Sequence, residues 1–233
     1  MTPVLILWLG VPPQTAVGTD LLFATITKLV AVGVHSARQS VDWQIVRRLS
    51  CGSVPAVLVV LALVHHWSLH RSRSGIILTA LGIALLLTGL AMLLRRHVHA
   101  VGRYLRTSAP EPFKRMQPVL TVLAGAVLGA LVTLTSVGAG ALGTVMLVYL
   151  YPLRLTPVRL VGTDLAHAIP VVFLASLGHL ALGTPDLTLL GWLLAGSLPG
   201  AWIGARLSGA APDGLLRGAI AVVLLVVGAK LLI

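Results

Sequence analysis

The chain has 233 residues, of which 57% are hydrophobic and 10% charged, with a mean hydropathy of +0.99. A soluble domain carries about 25% charged residues, so this composition excludes a soluble globular protein and defines an integral membrane one. The formal net charge of +11 comes from basic residues lying between apolar runs and not along an amphipathic face, which argues against nucleic acid and for loop arginines marking the cytoplasmic side.

A helix crosses the ~30 Å hydrocarbon layer with about 20 mostly apolar residues, and the chain holds several such runs. They are continuously apolar and do not alternate at period two, which favours helices over a barrel. Cys51 is the single cysteine, so neither an internal disulfide nor a cysteine-based metal site can form. With no basic segment before the first apolar run and no Ala-x-Ala site, no removable signal peptide is expected.

Residues 1–10 are apolar but too short to span, and Gly10-Val11-Pro12-Pro13 ends them. A span is predicted from Ala16 to His35, then a polar loop with Arg38, Asp42, Arg47 and Arg48. The next span runs from about Leu49 to Val64, with Gly52 and Pro55 near its start, and His65, His66, His70, Arg71 and Arg73 fill the loop after it. Gly75 to Leu94 makes another span. Residues 95–116 form the longest polar stretch, with Arg95, Arg96, Arg103, Arg106, Lys114 and Arg115, and read as a cytoplasmic linker loop.

The apolar stretch from Gln117 to Pro152 has 36 residues (152 − 117 + 1), about 54 Å as one straight helix, too long for a single crossing. A break is predicted at Ser136-Val137-Gly138-Ala139-Gly140-Ala141-Leu142-Gly143. Spans follow at about Arg159–Leu182, Thr188–Ala205 and Leu215–Ile233. Gly125 with Gly129, and Gly196 with Gly200 and Gly204, recur every fourth residue, a spacing that lets helix backbones approach closely.

Val17-Gly18-Thr19-Asp20 returns as Val161-Gly162-Thr163-Asp164, an offset of 144 residues (162 − 18). The same shift carries Pro13 onto Pro157, His35 onto His179, Asp42 onto Asp186, and Gly52, Ser53 and Pro55 onto Gly196, Ser197 and Pro199. The fold class predicted is therefore all-α: a polytopic transmembrane helical bundle of two homologous repeat units with broken helices. Residues 1–94 form the first unit, 95–116 the basic linker and 117–233 the second unit. The first-unit counterpart of the glycine-rich break falls before Met1, so this unit is expected to lack its opening helix, and a start upstream of Met1 is favoured. The loop 36–48 has three arginines and its equivalent 182–187 has none, an asymmetry that leans toward inverted units.

These features together resemble the sulfite exporter TauE/SafE family of membrane transporters, over essentially the whole chain. In that family each half opens with a helix and a Gly-Gly-Gly loop, passes a proline turn and reaches an Ala-Val-Gly-Thr-Ser-like motif. Here the loop reads Gly138-Ala139-Gly140, and aspartate follows Thr19 and Thr163 where the family often has serine. The family's proline after the glycines has a counterpart in Pro3, whereas Leu147 stands at the matching place of the second unit. The resemblance implies export or uptake of small sulfur-containing anions such as sulfite or sulfonates.

Discontinuous helices in duplicated transporters place their ends at the midplane, where unsatisfied N–H groups can receive an oxyanion. Gly138, Gly140 and Gly143 would let the main chain turn toward such a ligand and Ser136 could add a hydroxyl; equally, the glycines could serve only tight packing. Gly18, Thr19, Gly162 and Thr163 are further candidates for substrate contact. Asp20 and Asp164 sit where a helix cap is expected, with proton coupling as the functional alternative. Lys28 lies eight residues after Asp20 (28 − 20) inside an apolar run, either facing a cavity and attracting the anion or snorkelling to the interface; its register partner is Val172. His35, His179 and His167 could relay protons or be ordinary interfacial histidines. Asp42 and Asp186 read as caps or turns.

No metal site or cofactor is expected, and no Ser-His-Asp, His-Glu-x-x-His or phosphate-loop pattern supports an enzyme. The reading is a secondary transporter of small anions working by alternating access in the cytoplasmic membrane. Its partners are the lipid bilayer and a small anionic substrate, with homo-oligomerisation left open. The alternative is a non-transporting membrane subunit packed against a partner protein.

Overall fold

The computed structural model describes residues 1–35, 41–68, 74–108, 110–138, 140–208 and 213–232, without the side chains of 30–35, 67–68, 74, 76–77, 110, 198–208 and 213–217. The described residues form helices in the order α1 (Thr2–Leu7), α2 (Pro13–His35), α3 (Trp43–Ser68), α4 (Ser74–Ser108), α5 (Pro110–Thr135), α6 (Ala141–Leu150), α7 (Pro157–Ala181), α8 (Leu187–Ser208) and α9 (Asp213–Leu232). Among them four stretches are long and apolar enough to cross a membrane: Trp43–His66, Leu78–Ser108, Glu111–Thr135 and Pro157–Ala181. The all-helical bundle expected from the apolar runs is the observed one. Pro55, Pro118 and Pro170 lie inside helices, which membrane helices tolerate because neighbouring groups satisfy the freed carbonyls.

Two expectations about polar segments need correction. The basic stretch 95–116 is not a loop: residues up to Ser108 continue α4, and α5 is already under way at Pro110. Between Leu94 and Ser108 only Gly102 weakens a helix, while arginines sustain one, so the helix continues into the polar layer. Likewise Arg47, Arg48, His65 and His66 belong to the ends of α3 and not to its flanking loops. Arg38, His70, Arg71 and Arg73 lie outside the described residues.

The break predicted in the 117–152 stretch is present. Helix α5 stops at Thr135, and α6 starts at Ala141 after Ser136, Gly138 and Gly140 have taken φ values of 57°, 114° and 118°. Three residues in the left-handed region within five positions stop a helix, and glycine carries two of them without a Cβ penalty. The chain then returns. The Gln117 side-chain amide donates to the Leu150 carbonyl, and the Tyr151 hydroxyl meets Thr121 Oγ1 at 2.9 Å, so α6 ends beside the start of α5.

This return fixes the direction of the neighbouring helices. The end holding Gln117 and Leu150 also holds Asp42, just before α3, because Arg154 forms a bidentate pair with it at 2.7 and 3.0 Å. It holds His99 of α4 as well, whose Nε2 lies 3.4 Å from the Pro152 carbonyl. At the opposite end the start of α2 abuts the α7–α8 turn, where Asp186 N–H donates to Thr19 Oγ1 at 2.9 Å. Helices α2 and α7, which the 144-residue register equates, therefore run antiparallel.

The core lies where α2, α3, α5 and α7 meet, at Val17, Leu21, Val57, Val132, Val171, Val172 and Ala175. A second cluster, Ile45, Leu49, Leu147, Leu150, Tyr151 and Leu160, ties α3 to α6 and α7 near the Arg154 end. Helices α3 and α5 touch backbone to backbone. A Cβ on Gly52 would collide with the Val122 carbonyl, and one on Gly125 with the Leu49 carbonyl. Exposed Leu58, Val59, Trp192, Val222 and Val226 face outward as lipid-contacting side chains do.

Candidate functional site

The two Gly-Thr-Asp motifs sit seven residues into α2 and α7 (20 − 13 and 164 − 157), about 10 Å from each helix start. Their threonines are fully buried and already engaged. Thr19 Oγ1 accepts from the Asp186 N–H at 2.9 Å, and Thr163 Oγ1 accepts from the Asp42 N–H at 3.0 Å. Each aspartate then caps the helix that follows it: Asp42 Oδ1 accepts from Ile45 N–H at 3.3 Å, and Asp186 Oδ1 from Thr188 and Leu189 N–H at 2.9 and 3.0 Å. Each threonine of one sequence unit thus anchors a cap of the other. Each hydroxyl accepts in that bond and keeps its own O–H to donate. Gly18 serves the same junction, since a Cβ there would lie 2.6 Å from Thr184 Oγ1. Gly162 is half-buried.

The two motif aspartates have opposite surroundings. Asp20 Oδ2 accepts from the Thr2 N–H at 2.8 Å and the Thr2 hydroxyl at 2.6 Å, and pairs with the Met1 amino group at 2.9 Å. Asp164, 7% exposed, receives no hydrogen bond from any described residue. Its Oδ1 lies against the first turn of α6, where a Cβ on Gly143 would collide with it. Among the described residues, Lys28 is the charged side chain that acts on it. Lys28 is half-buried, makes no ion pair within 4.0 Å among the described residues, and stands seven residues from the end of α2 (35 − 28), as Asp164 stands seven from the start of α7. The Thr25–Ser176 contact at 3.3 Å sets the register of these antiparallel helices and places Lys28 level with Phe173 (25 + 176 − 28), nine residues along α7 from Asp164 (173 − 164).

Beside Asp164 lies the broken helix. Gly138 accepts from Gly143 N–H at 3.2 Å and Gly140 from Thr144 N–H at 3.0 Å, while the N-cap Gly140 offers no side chain to the remaining first-turn N–H groups. Ser136 is half-buried at the start of the break, and Ala139 lies outside the described residues.

The histidines are structural ties in their geometry. His167 Nε2 meets Ser53 Oγ at 3.0 Å, joining α7 to α3. His179, 2% exposed, uses Nε2 toward the Thr133 carbonyl and Nδ1 toward Thr184 Oγ1, both at 3.1 Å. A carbonyl only accepts, so Nε2 carries the proton and Nδ1 accepts from the hydroxyl. The side chain of His35 lies outside the described residues. Sequence reasoning did not find Ser53 or Thr184 as partners. Ser53 left a trace in the 144-residue register; Thr184 left none, because its role depends on the turn that follows α7.

Apolar helices of spanning length around a broken helix, with a buried aspartate against the break, are those of a multi-pass membrane protein, and the family the chain belongs to is one of transporters. The chain belongs to the sulfite exporter TauE/SafE family, whose model matches residues 1–231. It is 35% identical over 237 residues to the probable membrane transporter protein YjnA of Bacillus subtilis (strain 168), covering 100% of this chain and 90% of that one. It is also 26% identical over 217 residues to the probable membrane transporter protein YunE of the same organism, covering 88% of this chain and 74% of the relative. No solved structure matches.

Proposed function

We propose that the chain carries a small sulfur oxyanion, sulfite or a sulfonate, across the cytoplasmic membrane, binding it between Lys28 and the start of α6. The observation that carries this reading is Asp164, buried, without a hydrogen bond from any described residue and with Oδ1 against the uncapped first turn of α6, while the Lys28 ammonium acts on it from α2. Lys28 supplies the cation and the first-turn N–H groups of α6 supply donors, so the anion is held without a dedicated polar cage. Asp164 sets the coupling. Two like charges about 5 Å apart at an effective dielectric of ~20 repel by about 3 kcal/mol, so anion and proton enter together when Asp164 takes the proton.

Alternating access follows from two inverted units, 1–94 and 117–233, rocking about the α2–α7 contact. Antiparallel α2 and α7 and the exchanged Thr19–Asp186 and Thr163–Asp42 bonds support that division. Arg47, Arg48, Arg95, Arg96 and Arg154 gather at the end where α5 begins, which supports placing that end in the cytoplasm. The family's description and the relatives' names support the choice of transport and of sulfite. Uptake of labelled sulfite, a sulfonate and sulfate into proteoliposomes tests the substrate: saturable uptake of sulfite or the sulfonate is expected, and uptake of none of the three by folded protein overturns the reading.

A further inference from the structure

A groove of about 470 Å³ lies between the first turns of α3 and the neighbouring face of α5, lined by Trp43, Gln44, Arg47, Arg48 and Cys51 of α3 and Val122 of α5. Among the described residues no carboxylate lines it. The Asp42 carboxylate nearby is taken by Arg154 at 2.7 and 3.0 Å, and Glu111, near the start of α5, pairs with Lys114 at 3.3 Å. Arg47 is exposed and has no hydrogen bond or ion pair with any described residue, while Arg48 donates to the neutral Tyr151 hydroxyl at 3.4 Å. The groove therefore holds two cations that no described carboxylate neutralises.

Its place on α3 narrows the ligand. Trp43, Arg47, Cys51, Pro55 and Val59 recur every fourth residue and all are exposed, so they form one stripe along a helix long and apolar enough to cross a membrane. Trp43, at the head of that span, stands where aromatic side chains mark the membrane interface, and beyond Cys51 the stripe is apolar. Leu123, next to Val122 on α5, is 56% exposed. A free oxyanion has no use for this apolar track, whereas a phospholipid has acyl chains to lay on it. Ile45 and Leu49, two residues from Arg47 in either direction and so about 200° around the helix, are buried in the cluster that holds Leu160 of α7. Helix α3 itself thus stands between the groove and the Asp164 side of α7.

We propose that the Arg47–Arg48 groove binds the phosphate of an anionic phospholipid, with its acyl chains along Cys51, Pro55 and Val59. Basic residues at the headgroup level attract such lipids, each cation contributing about fivefold in affinity.

Cys51, the single cysteine of the chain, lies in the groove and reports its occupancy in the unmodified protein. The test follows alkylation of Cys51 by N-ethylmaleimide in the purified full chain in detergent, titrated with phosphatidylglycerol, phosphatidylcholine or inorganic phosphate. Phosphatidylglycerol is expected to slow the reaction at concentrations where neither of the others does. Arg47→Gln is expected to raise the phosphatidylglycerol concentration that halves the rate about fivefold, while Arg103→Gln, the same charge loss at an exposed position of α4 outside the groove, leaves it unchanged. Equal protection by phosphatidylcholine overturns the proposal, as does no protection by phosphatidylglycerol or an equal shift in both variants. Inorganic phosphate reproducing the full protection overturns it too, by making the ligand a free anion.

Discussion

Asp164 differs from Asp20 in a way that decides what each can do. Three donors hold Asp20, whereas Asp164 has a distant ammonium and no donor among the described residues, so it can change protonation state without breaking any bond described. Asp164→Asn is expected to preserve uptake down an anion gradient but abolish its acceleration by an inward proton gradient; acceleration equal to that of the unmodified chain would assign the proton to another group. The threonines also hold the helix junctions. Thr163→Val leaves the Asp42 N–H at the head of α3 without its acceptor, and a loss of about 1–3 kcal/mol is expected, read as a lower melting temperature. An unchanged melting temperature would show that water replaces the hydroxyl. The motif, the intrusive lysine and the histidines stand out in the sequence by type and spacing, but the interfacial alternative for the histidines fails for His167 and His179, which are buried. The inequality of the two aspartates was not legible there, because it depends on which residues of α1 and α6 come to lie beside them.

At the scale of the helix, glycine position matters more than glycine content. Gly52 on α3 and its register partner Gly196 on α8 are equivalent in sequence, yet Gly52 is pressed against α5 while a Cβ on Gly196 would meet nothing within 4 Å. Gly200 and Gly204 lie outside the residues whose surroundings are described. Gly52→Leu is expected to cost more than about 1–3 kcal/mol by overpacking, and Gly196→Leu to stay within about 0.5 kcal/mol. Thermal unfolding of both variants checks this, and an equal loss at Gly196 would show that another helix covers α8. Helix positions were readable from apolar runs, and the break from the length of the 117–152 stretch against the bilayer. The ends of α3 and α4 depart from the expected loops because a run of arginines reports polarity, and polarity alone does not separate a loop from a helix continuing into the headgroup layer.

For the whole molecule, the charge asymmetry and the returning α6 make one orientation testable. With Cys51 replaced by alanine, Leu153→Cys and Thr188→Cys are expected to react with an impermeant thiol reagent from opposite sides of the membrane, Leu153 from the cytoplasmic side with the basic residues. Labelling from one side would contradict a crossing by α7, since those positions flank its two ends. The sequence register implied two units; their relative orientation stayed open there, because it turned on whether α6 continues across or folds back.

The measurement closest to the central claim is uptake of labelled sulfite into proteoliposomes by the unmodified chain and by Lys28→Gln, side by side at equal reconstitution. Removing the cation that opposes Asp164 is expected to lower uptake at least tenfold, corresponding to about 1.4 kcal/mol or more, while the protein still reconstitutes. Uptake by Lys28→Gln equal to that of the unmodified chain would contradict the assignment of Lys28 to the anion and move the binding site away from the α6 break.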